Sequence, residues 1–287
     1  MGPPLRSTPQ LAARGTSSGN LAARLLTVGL LAPLLLALLF WGPPWAWATF
    51  ICVAAGQVAR EMLRMTHPEL PLERWTGALL ASGICAATIA GRDEMRILVT
   101  ALLFHLVFAA ILSLARPGDL PGAAARAFSL MLTPLYCGLL LASLALLRTG
   151  PAKLGPAYVL FTLFIAWMGD TGGYVAGRLF GRTKLYPLIS PKKTREGLLG
   201  SIVFSVTLAL VSSCTYLPQV SLLHAGFLGV IGAVLGQAGD LVESLIKRST
   251  GIKDSGTLLP GHGGLFDRVD GLLFVAPLVY VHWLWFG

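Results

Sequence analysis

Apolar stretches close to 20 residues long recur along this chain, each able to cross the roughly 30 Å hydrocarbon core of a bilayer. They fall at about 25–42, 45–60, 75–91, 96–115, 127–147, 155–177, 198–217, 222–245 and 271–287. Only 12% of the residues are charged while 55% are hydrophobic, and the mean hydropathy is +0.72. The chain therefore reads as an all-α, polytopic integral membrane protein with about nine transmembrane helices. "WGPPWAW" leaves only a tight turn between the first two of them.

Nine spans put the termini on opposite sides, and the distribution of Lys and Arg selects the side. With the N-terminus in the cytoplasm, all of the 22 basic residues except Arg92, Arg96, Arg148 and Lys153 face the cytoplasm. The expected orientation is N-terminus in and C-terminus out. The net charge of +9 is then mainly a topology signal, and it can also attract anionic lipid headgroups. No nucleic-acid partner is expected, because no soluble basic domain exists to carry one. Cys52, Cys85, Cys137 and Cys214 are isolated in predicted spans, which suggests neither a disulfide framework nor a zinc site.

Three regions follow from the distribution of charge. Residues 1–23 are rich in Ser, Gly and Pro, lack acids, and read as a disordered cytoplasmic tail. Residues 24–150 read as a transmembrane scaffold. Their acids, Glu61, Glu69, Glu73, Asp93, Glu94 and Asp119, lie in predicted loops or at span ends and read as solvated loop charges. Residues 151–287 read as the catalytic region. There Asp170, Glu196, Asp240, Glu243, Asp254, Asp267 and Asp270 crowd into or beside apolar helices. A carboxylate at membrane depth costs a few kcal/mol, so a cation, a basic side chain or water must compensate.

"GQAGDLVESLIKR", 236–248, places Asp240, Glu243 and Lys247 on one helix face, with Ser244 beside them. Gly229, Gly232, Gly236 and Gly239 prolong that stripe and admit a close neighbouring helix. A Glu243–Lys247 ion pair alone would leave Asp240 unexplained. "DRVDG" sets Asp267 and Asp270 three apart, so that both can face one way at the start of the last helix. Asp240 and Asp267, from two segments, then suit Mg²⁺, which takes one or two carboxylates plus phosphate oxygens and waters. Asp270 and Glu243 lie near them. Asp267 can also serve as a first-turn helix acid.

Between those helices "PGHGG" offers glycines and His262 as an anion cradle. Lys247, Arg248, Lys253 and Arg268 around it suit a polyphosphate. Upstream, Gly169, Gly173, Gly177 and Gly181 form a close-packing face with Asp170 next to it. "GRLFGRT" lacks the spacing of a phosphate-binding P-loop. "SPKKTREG" supplies Ser190, Lys192, Lys193, Thr194, Arg195 and Glu196 on the cytoplasmic side. Its Ser-Pro suits a turn, and its lysines and hydroxyls suit phosphate.

"SLIKRSTGIKDSGTLLPGHGGLFDRVD", Ser244 to Asp270, resembles the signature of the phosphatidate cytidylyltransferases, or CDP-diacylglycerol synthases. That signature runs S-x-apolar-K-R, then K-D, a spacer to H-G-G, and D-R-apolar-D. "GDTGGYVAGRLFGRTKL" and "ISPKKTREG" are similar to other motifs of that family, although Lys192 stands where glycine is commoner. The resemblance covers about 160–280. It implies a multi-helix membrane enzyme, a homodimer, in a bacterial inner membrane with its site facing the cytoplasm. The implied reaction joins CTP and phosphatidate to give CDP-diacylglycerol and pyrophosphate, with Mg²⁺ and a monovalent cation such as K⁺. It implies metal-binding roles for Asp240 and Asp267, with Asp170 and Glu243 as further metal candidates. Catalytic roles fall to Lys247, Arg248, Lys253, Asp254, His262, Arg268 and Asp270. Substrate binding falls to Ser190, Lys192, Lys193, Thr194, Glu196, Ser244, Gly263 and Gly264. Read from the residues alone, two alternatives stay open. One is an ion-coupled transporter; the other is a kinase or cytidylyltransferase acting on another lipid phosphate or a polyprenol.

Overall fold

The structure, a computed structural model, describes residues 29, 31–256, 258 and 263–287. The predicted tail at 1–23 and His262 lie outside the described residues. The chain is built from helices: α1 (Leu31–Phe40), then α2 (Pro44–Thr66), α3 (Pro71–Ala90), α4 (Met95–Ala115), α5 (Leu120–Thr149), α6 (Gly155–Phe180), α7 (Arg195–Thr215), α8 (Leu222–Ser249), α9 (Phe266–Val269) and α10 (Leu272–Phe286). Pro44, Pro71 and Pro121 stand in the first turns of α2, α3 and α5. Proline is tolerated there because its missing N–H would have no helical partner.

Among the described residues, five helices, α4 to α8, are long and apolar enough to cross a membrane. The apolar run of α2 is diluted by Gln57, Arg60 and Glu61, and that of α3 by Glu73 and Arg74. α1 and α10 are apolar but shorter. Of these five, helix α4 is the most apolar, with only His105 and Ala109 buried. Leu103, Phe104, Val107, Ile111 and Leu114 stand exposed on it. An apolar helix with so little protein cover suits a lipid environment.

Helix α5 is the most buried of the five. α5 packs against α2, α3 and α10, while α6 packs on α7 and α7 on α8. One buried apolar cluster runs through both halves, from Leu39 and Trp47 to Val275 and Val279. Close approach in the C-terminal half depends on missing side chains, as the glycine stripe predicts. A Cβ on Gly232 would lie 2.5 Å from Ile165 of α6, and one on Gly229 would lie 2.7 Å from Val206 of α7.

Two readings of local structure change. "SPKKT" is not a turn but a strand, β2 (Ser190–Thr194), paired antiparallel with β1 (Lys184–Tyr186). The residue before a proline is driven toward extended backbone, which serves a strand as well as a turn. Glu61 and Glu73 are not solvated loop charges but buried. Glu61 lies inside α2, which runs on to Thr66, and Glu73 pairs with Arg116 at 3.5 Å.

Candidate active site

The site assembles where the C-terminal turns of α8 meet the α9–α10 junction and the β-hairpin. On α8 the helical repeat puts Asp240, Glu243, Ser244 and Lys247 along one side. The α9–α10 junction reaches them because Gly239 has no side chain: a Cβ there would lie 2.4 Å from the Asp270 carbonyl oxygen. The result is a group of three carboxylates, Asp240, Glu243 and Asp270, each with one oxygen within 4.8 Å of an oxygen of the other two. Glu243 and Asp270 are buried and Asp240 is half-buried.

Each acid has a different set of partners. Asp240 pairs with Lys193 of β2 (Oδ2 to Nζ 2.7 Å) and accepts from the Ser244 hydroxyl at 3.3 Å. Lys193 also donates to the Gln237 carbonyl at 3.3 Å. Side chains alternate along a strand; Lys192 accordingly is exposed while Lys193 reaches the acids. Glu243 lies 3.0 Å from Lys247. Burial, with the Asp240 charge beside it, pushes the Asp270 carboxyl up to about 7. Asp170 of α6 accepts from Gln237 Nε2 at 3.4 Å and lies within electrostatic reach of Asp240, Lys193 and Arg268.

Asp267 has partners of its own. It lies three residues before Asp270, and Asp270 and Gly271 keep right-handed helical backbone angles between α9 and α10. Its Oδ1 accepts from Lys247 Nζ at 2.8 Å, and its Oδ2 accepts from the Gly264 N–H and the Ser255 hydroxyl, both at 2.9 Å. Burial works against its ionisation, but bonds from Glu243, Lys247, Gly264 and Ser255 hold the carboxyl well below the usual carboxylate range. Lys247 therefore sits between Glu243 and Asp267.

The remaining expected residues divide. Arg248, Lys253, Asp254 and Arg268 are exposed at the rim. Gly263, at φ 80°, holds the positive backbone angle that favours glycine. Thr194 is the N-cap of α7 and accepts from the Gly197 N–H at 3.1 Å. Glu196 accepts from the backbone N–H groups of Arg182 and Thr183, both at 3.1 Å, and so pins the start of the hairpin. Ser190 is half-buried at the start of β2.

Two contributors were not expected here. Gln237 links Asp170 to Lys193, and Glu61 of α2 accepts from the Phe266 N–H at 2.8 Å. The i, i+4 spacing of Gln57 and Glu61, bonded at 2.9 Å, is the only local signal for the latter. A cavity of about 260 Å³ opens between α2, α5 and α8, lined mostly by apolar groups such as Met62, Leu132, Val242 and Ile246. Tyr136 on its wall lies within electrostatic reach of Glu243 and Asp270.

Hard carboxylate oxygens gathered around half-buried lysines, beside a rim of further cations, suit a divalent ion and a polyphosphate together. The model of the cytidylyltransferase family matches residues 22–286. A phosphatidate cytidylyltransferase of Staphylococcus saprophyticus is 45% identical over 127 residues, which is 44% of this chain and 49% of that protein. One of Staphylococcus aureus is 46% identical over 131 residues, 44% of this chain and 49% of that protein. One of Bacillus subtilis is 41% identical over 126 residues, again 44% of this chain and 47% of that protein. The matched region spans about half the length of these curated relatives.

Proposed function

Since the chain belongs to the cytidylyltransferase family, we propose that it transfers the cytidylyl group of CTP to phosphatidate, giving CDP-diacylglycerol and pyrophosphate in phospholipid synthesis. The observation that carries this reading is the convergence of Asp240, Glu243 and Asp270 beside Lys193 and Lys247, in a chain bearing the whole Ser244–Asp270 signature. The names of the relatives support the choice of substrates.

In this reaction an oxygen of the lipid phosphate forms a bond to the α-phosphorus of CTP as the bond from that phosphorus to the bridging oxygen breaks, and pyrophosphate departs. The lipid phosphate is already a competent nucleophile, so no Ser or Cys nucleophile is needed. The difficulty is joining two polyanions, which positioning and electrostatics overcome. Lys193 and Lys247 hold positive charge inside the site. Arg248, Lys253 and Arg268 hold more at its rim and draw the triphosphate in. The cavity between α2, α5 and α8 takes an acyl chain, which lets the lipid enter sideways from the bilayer.

The donor set fits Mg²⁺: three hard carboxylates lie within one ion's reach, and a buried group of this kind needs a compensating cation. Asp240, Glu243 and Asp270 would hold it, with Asp170 at the border. When bound it would neutralise phosphate charge and orient the triphosphate. Asp267, named from the signature as a ligand, is in this reading the anchor of Lys247. On the resemblance alone we also assign a monovalent cation such as K⁺ and a homodimer. Nine crossings, a cytoplasmic N-terminus and a site on the cytoplasmic side of a bacterial inner membrane complete the proposal, supported by the asymmetry of Lys and Arg.

The test is an assay of the purified protein with CTP, phosphatidate and Mg²⁺, alongside other lipid phosphates and a polyprenol. Formation of CDP-diacylglycerol with equimolar pyrophosphate is expected. Turnover of another acceptor but not of phosphatidate would move the assignment to that acceptor, and ion flux without CTP turnover would favour a transporter.

A further inference from the structure

Glu61 is 4% exposed and lies on α2, in the half of the chain that carries none of the expected site residues. A buried carboxylate is costly unless its oxygens find partners. Those of Glu61 find them largely in the signature segment. Its Oε2 accepts from the Phe266 N–H at 2.8 Å and faces the Ser255 hydroxyl at 3.3 Å; its Oε1 accepts from Gln57 Nε2 at 2.9 Å. The same Ser255 hydroxyl stands 2.9 Å from Asp267 Oδ2. Glu61 and Asp267 are thus linked through one hydroxyl proton. There is little slack around this junction. A Cβ on Gly264 would lie 2.1 Å from the Ser255 hydroxyl oxygen and 2.5 Å from Glu61 Oε2, and one on Gly256 would lie 3.0 Å from Glu61 Oε1.

We infer that Glu61 is a positioning residue for this active site, one that clamps Ser255 and Phe266 against α2 and thereby fixes Asp267 on Lys247 and Asp270 beside Asp240 and Glu243. It acts through Ser255 and Phe266 and takes no part in the transfer itself. Its kinetic consequence rests on the proposed cytidylyl transfer; the clamp does not.

Hydrogen exchange, read by mass spectrometry on the purified full chain, tests the clamp without turnover. In Glu61→Ala, the peptide containing Phe266 is expected to exchange at least about tenfold faster, with α10 unchanged. Glu61→Gln keeps an acceptor oxygen for the Phe266 N–H and is expected to exchange as the wild type does. In the CTP assay, Glu61→Ala is expected to lose about 10- to 100-fold in kcat and to need more Mg²⁺ for half-saturation, with Glu61→Gln restoring both to within about threefold. Should Glu61→Ala fail to fold, Ser255→Ala removes the shared hydroxyl alone and is expected to move the same quantities by a smaller factor. Unchanged exchange in Glu61→Ala and Ser255→Ala overturns the inference. So does a Glu61→Gln protein as impaired as Glu61→Ala, or a lowered Tm with half-saturating Mg²⁺ unmoved. Faster exchange in Glu61→Ala beside a wild type that makes no CDP-lipid would defeat the functional reading and leave the clamp standing.

Discussion

At the scale of single residues, Lys192 and Lys193 are adjacent in sequence and differ in exposure and partners. Lys193 reaches Asp240 at 2.7 Å while Lys192 is exposed. Lys193→Ala is therefore expected to lower kcat/KM for CTP by about 10- to 100-fold, because it leaves a charge uncompensated near the substrates. Lys192→Ala should change it by less than about threefold. Asp240→Asn should cost two orders of magnitude or more, roughly the scale of removing one electrostatic partner of a developing charge. Steady-state kinetics on the variants would check all of these. At this scale the sequence was informative about α8, because Asp240, Glu243 and Lys247 share a face by the helical repeat alone. It was uninformative about Glu61, whose partners Ser255 and Phe266 lie 194 and 205 residues away. An acid near a span end looks the same whether water or a distant loop satisfies it.

At the scale of elements, the approach of α8 to the α9–α10 junction hinges on Gly239. Gly239→Ala sets a methyl group against the Asp270 carbonyl oxygen, at a position 2.4 Å from it. It is expected to shift Asp270 away from Asp240 and Glu243 and to lower kcat by about tenfold or more, since misplacement by an ångström can cost a hundredfold. Gly226 on the same helix meets nothing within 4 Å. Gly226→Ala should leave turnover unchanged and raise Tm slightly, through helix propensity worth up to about 1 kcal/mol. Parallel measurement of kcat and Tm on both variants separates packing from propensity. The glycine stripe was legible in the sequence because its spacing has one main physical use in a membrane helix. The β-hairpin was not, since Ser-Pro serves both a turn and an extended strand. Nor were the partners of Asp267, which come from Lys247 of α8 and from Ser255 and Gly264 of the loop.

At the scale of the whole molecule, two properties organise the reading: α4 presents an apolar surface with little protein cover, and the proposed orientation puts most of the basic residues on one side. Leu103 on α4 is 62% exposed. Leu103→Phe is expected to leave yield and turnover unchanged, whereas Leu103→Arg should reduce the membrane-inserted fraction, because a central arginine costs about 2.5–3.5 kcal/mol on insertion scales. Quantifying the membrane fraction decides it. Trypsin should cut at the exposed Arg182 and Lys184 in inverted vesicles and spare them in right-side-out spheroplasts. Cleavage from the outer side would reverse the proposed orientation. Hydropathy made the helical class readable, but among the described residues five helices meet the length and apolarity of a span; in α2 and α3, polar residues such as Glu61 and Glu73 were recruited into the packing. Lys247 carries a last consequence. Its amine is divided between Glu243 and Asp267, yet Asp267 keeps Ser255 and Gly264 if the amine swings away. In the proposed reaction the fastening of the loop would thus not rest on that amine alone, and an arriving phosphate would draw the charge off without unlacing the frame around it.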